Sequence, residues 1–180
     1  MAIEGRSDSG RGGRIRLGMI GGGEGAFIGA VHRLAARMDD HYDLVAGALS
    51  STPEKAQRSG AALGLAADRI YADFEAMAKT EAKRSDGIEA VAIVTPNHMH
   101  AGPAYAFLKA GIHVICDKPL TTSLAEAKKL KAAADKSGRI FAVMQNYTGY
   151  PPWCVARAKG SAPAILAKSG WCKSNIPRIG

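Results

Sequence analysis

The sequence predicts an α/β fold, a doubly wound parallel sheet of six strands with helices on both faces. Two observations carry that expectation. From Ile15 onward, short apolar runs alternate with Ala-rich amphipathic stretches, the pattern of repeated βαβ units. One of those runs, EAVAIVT, is apolar at nearly every position, as in a parallel strand covered on both faces.

IRLGMI (Ile15–Ile20) reads as the first strand, and a helix begins near Phe27 within AFIGAVHRLAARM. Tyr42–Leu49 is the second strand; Thr52 as N-cap and Pro53 in the first turn start a helix over Pro53–Leu63. RIYAD (Arg69–Asp73) gives a short third strand, followed by a helix over Phe74–Lys83. Glu89–Thr95 is the fourth strand, and the helix Pro103–Ala110 stops at Gly111, a usual C-cap residue. Gly111–Asp117 is the fifth. In the next helix Ser123 is the cap, Glu126 completes a capping box, lysines crowd the later turns and Gly138 ends it. Arg139–Gln145 is the sixth strand. Together these make one domain over residues 15–150, while residues 1–14, rich in Gly, Ser and Arg and without apolar period, read as a flexible tail.

Composition agrees with one buried core. The chain has 180 residues, 47% of them hydrophobic and 22% charged, enough apolar side chain to offset the entropy of ordering. The formal charge of +8 is spread along the chain rather than gathered in a basic stripe, so no nucleic-acid partner is expected. Cys116, Cys154 and Cys172 show neither a disulfide framework nor CxxC metal spacing. No apolar run approaches the ~18 residues of a membrane span and the N-terminus has no apolar signal core. A soluble, cytoplasmic protein with no membrane partner is the expectation.

MIGGGEGAFIG places Gly21, Gly22, Gly23, Gly25 and Gly29 after the first strand and at the mouth of the first helix. Glycines there let the chain turn tightly and bring backbone N–H groups to a pyrophosphate, which the helix N-terminus favours electrostatically. The spacing departs from GxGxxG: the third small residue is Ala26 by strict count, or Gly29 if the turn carries an insertion. A dinucleotide-binding (Rossmann) turn is the reading, with Gly21, Gly23, Glu24, Gly25, Ala26 and Phe27 against the cofactor. The end of the second strand, Leu49-Ser50-Ser51-Thr52, has no carboxylate for a ribose 2′-hydroxyl. Ser50 and Ser51 can hydrogen-bond a 2′-phosphate, and Lys55 or Arg58 can neutralise it, so NADP is expected over NAD.

Two further motifs end strands where open α/β sheets bind ligands. In TPNHMH, Thr95, Pro96, Asn97 and His100 are read as cofactor-cleft residues; His98 and His100 form a His-x-His pair, but no third ligand of suitable spacing follows and no metal is expected. In CDKPL, Asp117 and Lys118 are placed at the cofactor. A lysine there can bond a substrate hydroxyl and favour loss of its proton, whereas a salt-bridged loop lysine is the alternative. Cys116 reads as buried filler rather than a nucleophile.

Taken together, GGGEGAFIG with His32 three residues on, TPNHMH, CDKPL and VMQNYTGYP resemble the glucose-fructose oxidoreductase and inositol dehydrogenase (Gfo/Idh/MocA) family, over Ile15 to about Tyr150. TPNHMH stands for the family's TPNxxH and CDKPL for its EKP, with Asp117 where Glu is usual. The resemblance implies Lys118 as a lysine that assists catalysis, an NAD or NADP cofactor, and oxidation or reduction of a hydroxyl of a sugar or polyol. It also implies a C-terminal α/β domain supplying the substrate pocket, and nothing after Tyr150 matches one.

Residues 151–180 hold no clean strand or helix period and contain both tryptophans. Read from the third letter of the Pro152 codon, Trp153-Cys154 and Trp171-Cys172 each force a valine. With plausible third letters the stretch becomes a basic helix-like run, a Gly-containing turn and a β-branched alternating strand. The segment is therefore expected to be an irregular tail, a frameshifted remnant of the family's own sequence. A truncated domain that binds cofactor, is inactive alone and self-associates through exposed apolar surface is the expected protein; a non-catalytic nucleotide-binding regulatory module is the alternative.

Overall fold

A computed structural model describes residues 13–38 and 40–145. The expectations for residues 1–12 and 146–180, the irregular tail among them, fall outside the described residues. Strands β1 (Ile15–Gly21), β2 (Tyr42–Ala48), β3 (Ala90–Val94), β4 (His113–Asp117) and β5 (Phe141–Met144) form one sheet in the order β2-β1-β3-β4-β5. The ladders β1–β2, β1–β3 and β3–β4 are parallel. Helices α1 (Phe27–Met38), α2 (Pro53–Ala62), α3 (Phe74–Glu81), α4 (Ala101–Lys109) and α5 (Leu124–Ser137) lie between strands in sequence, each close to its expected span.

The local reasons are those the sequence offers. Asp73 caps α3, its Oδ1 accepting from Ala76 N at 2.7 Å, and Ser123 Oγ accepts from Glu126 N at 3.2 Å at the start of α5. Gly138 ends α5 in the left-handed conformation at φ 64°. Thr52 occupies the N-cap of α2 without a side-chain cap bond, and Pro53 fixes the first turn.

Among the described residues the sheet has five strands, not six. The expected third strand, RIYAD, contributes only one bridge, Ile70 to Gly47, and Tyr71 N donates to Gly47 O at 2.8 Å. Other demands compete for its residues. Arg69 ends a 3-10 turn over Ala67–Arg69 and turns inward to Glu81, while Asp73 is taken as the cap of α3. That leaves too little extended chain for a ladder.

Alternate residues of β3 separate two cores. Val91 and Ile93 pack with Met77, Phe107 and Leu130 of α3, α4 and α5. Ala90, Ala92 and Val94 pack on the other side with Leu17, Met19 and Leu49, against Ile28 and Ala36 of α1. The period of two in a strand thus puts helices on both faces. Fully buried Glu81 serves the first core by gathering Arg69, the Tyr71 hydroxyl and the Ile88 N–H around one carboxylate. Tyr71's pKa is raised by burial and then by its bond to Glu81.

Candidate cofactor site

Chain order around the sheet reverses between β1 and β3, since β2 lies on one side of β1 and β3, β4 and β5 on the other. Ligands of open α/β sheets bind outside the carboxyl ends of the strands at such a reversal. Register decides which loops meet there. Gly21 pairs with Val94, Ile20 with Ala48 and Ile93 with Cys116, so the glycine turn, Leu49–Ser51, Thr95–Asn97 and Asp117–Lys118 all leave the same edge. The glycine turn, TPNHMH and CDKPL sit on that edge, as does the start of α2, the helix that carries Lys55 and Arg58.

The turn is built by glycines with different tasks. Gly22 has φ 73°, and a Cβ there would lie 2.8 Å from Val94 Cγ2 and 2.9 Å from Gly29 Cα. A Cβ on Gly29 would run into the Gly22 backbone. Gly29 is therefore a glycine that lets helix and strand approach closely. Gly25, at φ 78°, has open space where a side chain would go, as expected of backbone kept clear for a ligand.

The N–H groups of the turn are divided between the fold and the outside. Gly23 N donates to Leu49 O at 3.2 Å, Glu24 N to Ser59 Oγ at 3.0 Å and Ala26 N to Gly23 O at 3.0 Å. Gly25 N and Phe27 N have no partner among the described residues, and the first turn of α1 carries no acid to compete for an anion. Gly23, Glu24, Gly25, Ala26 and Phe27 line one wall of a cleft of about 570 Å³, with Arg58 and Ser59 on the other. That volume lies within the range of small-molecule and cofactor sites. These features fit a dinucleotide's pyrophosphate.

Sequence reasoning passed over two side chains that hold the turn, and it placed Arg58 there without its partner. Arg33 Nη1 donates to Gly22 O at 2.6 Å, and Ser59 takes the Glu24 amide. Arg58 Nη2 lies 3.6 Å from Glu24 Oε2. Arg33 follows Gly29 by one helical turn and Ser59 follows Lys55 by one, a spacing that marks them for the same face as residues already placed at the site.

At the other strands, His100 is 0% exposed and its two ring nitrogens lie 2.9 Å from Thr95 O and 2.7 Å from Pro119 O. It ties the TPN loop to the DKP loop. His98 is exposed, whereas His100 is buried. Asp117 is buried; its Oδ1 accepts from Lys118 N at 2.9 Å and lies 4.0 Å from His32 Nε2. Burial lowers the His32 pKa, and Asp117 only partly offsets it. Lys118 is exposed, follows a buried strand end and precedes a cis bond to Pro119. Its ammonium has no ion pair or hydrogen bond among the described residues, which removes the salt-bridged reading within them. Burial pushes the Cys116 thiol up to about 12, so it is no thiolate nucleophile.

The fold and this edge define a dinucleotide-binding α/β domain. Residues 15–145 match the Gfo/Idh/MocA family, described as an oxidoreductase family with an NAD-binding Rossmann fold, and the chain belongs to it. It is 42% identical over 136 residues to the uncharacterized oxidoreductase YfiI of Bacillus subtilis, covering 75% of this chain and 35% of that protein. A solved oxidoreductase of Sinorhizobium meliloti is 70% identical with a TM-score of 0.73, covering 77% of this chain and 38% of that one. An inositol dehydrogenase homolog of Azotobacter vinelandii, solved with NADH and myo-inositol, is 39% identical with a TM-score of 0.78, covering 83% and 40%. The chain thus spans 35–40% of the length of these relatives.

Proposed function

We propose that this domain binds NADP, and NAD less tightly, as the cofactor half of an oxidoreductase acting on a hydroxyl of a sugar or polyol. The observation that carries the reading is the glycine turn. Open backbone at Gly25, N–H groups of Gly25 and Phe27 without a partner among the described residues, and an acid-free helix start stand together at the sheet's reversal point. The relative solved with NADH and myo-inositol supports the substrate class.

In this reading Gly21, Gly23, Glu24, Gly25, Ala26 and Phe27 receive the pyrophosphate side, and Ser50, Ser51, Lys55 and Arg58 the adenosine ribose. Thr95, Pro96, Asn97, His100 and Asp117 line the way to the reacting end. Once bound, the nicotinamide supplies hydride transfer. Lys118 bonds the substrate hydroxyl and stabilises the charge that develops on oxygen as its proton passes to solvent. Asp117 positions Lys118 through its backbone N–H, and His100 holds the same loop from the other side.

Calorimetric titration with both cofactors tests the reading: NADP tighter than NAD is expected. Binding of neither defeats the site, and tighter NAD defeats only the preference. The 180-residue chain is proposed to bind cofactor without turning over a polyol, because the family resemblance assigns the substrate pocket to a C-terminal domain. We place it in the cytoplasm, a setting supported by the cysteine pattern, and give it no nucleic-acid or membrane partner. Among the described residues no helix is long and apolar enough to cross a membrane. We further propose that a second copy of the chain associates through the exposed apolar row of α1.

A further inference from the structure

The end of β2 lacks the carboxylate that commonly reads a ribose 2′-hydroxyl, yet the corner beside it holds one from another element. Glu24 comes from the glycine turn. Its own N–H is bonded to Ser59 Oγ of α2 at 3.0 Å, and the preceding N–H, of Gly23, to Leu49 O at the end of β2 at 3.2 Å. These two bonds pin the turn into the β2–α2 corner. Glu24 Oε2 then lies 3.6 Å from Arg58 Nη2, and both residues line the same cleft. Arg33 lines it too, but its guanidinium is committed to Gly22 O.

We propose that Glu24 sets the cofactor choice of this domain, by masking Arg58 from a 2′-phosphate and by offering a carboxylate to a ribose 2′-hydroxyl. The inference rests on the dinucleotide reading above. A 2′-phosphate needs the Arg58 cation and is repelled by the Glu24 anion, so NADP must separate the pair before it binds. NAD has no such requirement, and its hydroxyl can donate to the carboxylate. Both side chains are more than half exposed, so the pair contributes little to folding and its loss leaves the domain intact. In this reading Glu24 narrows the proposed preference for NADP.

The test is calorimetric titration of the full 180-residue chain with NAD and with NADP, for the unaltered protein, Glu24→Gln and Arg58→Ala. Circular dichroism establishes that each variant is folded. Glu24→Gln is expected to tighten NADP by roughly tenfold and to weaken NAD a few-fold, the scale of one charge acting in a partly solvated site. Arg58→Ala is expected to weaken NADP and leave NAD within about twofold, since only the phosphate uses the cation. An unchanged NADP:NAD ratio in Glu24→Gln, or equal losses of both cofactors in Arg58→Ala, overturns the inference while the dinucleotide reading stands. Binding of neither cofactor by the unaltered chain overturns both.

Discussion

At the scale of single residues the glycine turn gives the clearest contrast. Gly22 and Gly25 share a positive φ, but a methyl at Gly22 meets Val94 and Gly29 while one at Gly25 meets nothing. Gly22→Ala should cost about 2–4 kcal/mol of stability, from backbone strain plus overpacking. Gly25→Ala should cost about 1–2 kcal/mol, from strain alone, and weaken cofactor binding disproportionately. Urea denaturation beside cofactor titration separates the two; equal stability losses would show that the neighbours of Gly22 move aside. Glu81 is a second such residue. Removing it strands buried Arg69 and the Ile88 N–H, so Glu81→Ala should destabilise by about 3–5 kcal/mol and Tyr71→Phe by only about 1 kcal/mol. His32 ties stability to pH. Its folded pKa lies below the ordinary 6.5, so the unfolded chain takes up the proton first. The His32 contribution is present above pH 6.5 and is lost as pH falls through the depressed folded value. A shallower acid limb in the stability profile of His32→Gln checks this sign. None of these roles was legible in the sequence beyond the glycines, because Arg33, Ser59 and Glu81 act through contacts between elements far apart in the chain.

At the scale of elements, existence and type were legible wherever a cap or a continuous apolar run stood alone. Ser123 with Gly138 and the run AVAIV marked α5 and β3 nearly to the residue, whereas Asp73, the cap of α3, reads in the sequence as the end of a strand. The exception is RIYAD, whose apolar Ile70 and Tyr71 look like a strand but whose flanks are claimed by Glu81 and by the cap of α3. Alternation reports which face a residue prefers; it does not report that an arginine has a buried carboxylate waiting on another helix. Helix α1 shows the opposite case, a pattern with more apolar surface than its own domain covers. Ile28 and Ala36 pack inward, while Phe27, Val31, Leu34 and Met38, spaced four, three and four, are 82%, 39%, 66% and 76% exposed. A second apolar stripe at helical spacing calls for a partner. If a second copy supplies it, Leu34→Lys with Met38→Lys should lower the concentration-dependent mass in sedimentation and leave the circular dichroism unchanged. A monomer at all concentrations before substitution would remove the self-association proposal.

At the scale of the whole molecule, the motif edge is where the sequence was most informative, since TPN and DKP end strands whose register only the fold reveals. Lys118 stands on that edge with no ion pair or hydrogen bond to its ammonium among the described residues, outside the turn proposed to receive the pyrophosphate. Lys118→Ala should therefore leave both the denaturation midpoint and NADP affinity within about 0.5 kcal/mol of the parent, as surface substitutions away from buried networks do. A large loss of stability would make it a structural ion-pair residue, and a large loss of affinity would move it to the pyrophosphate. Its proposed chemistry needs a substrate wall as well, which the family resemblance assigns to a C-terminal domain. The proposed reading of residues 151–180 as an out-of-frame remnant predicts where that wall is encoded. The gene's nucleotide sequence decides it: a neighbouring frame from Pro152 onward that continues as an α/β domain supports the proposal, and ordinary non-coding sequence there ends it. Rejoining the two frames should then give a longer protein that oxidises polyols with NADP and loses that turnover, but not its cofactor, in Lys118→Ala. Robust turnover by the 180-residue chain itself would show instead that its own residues, or a second copy, complete the pocket.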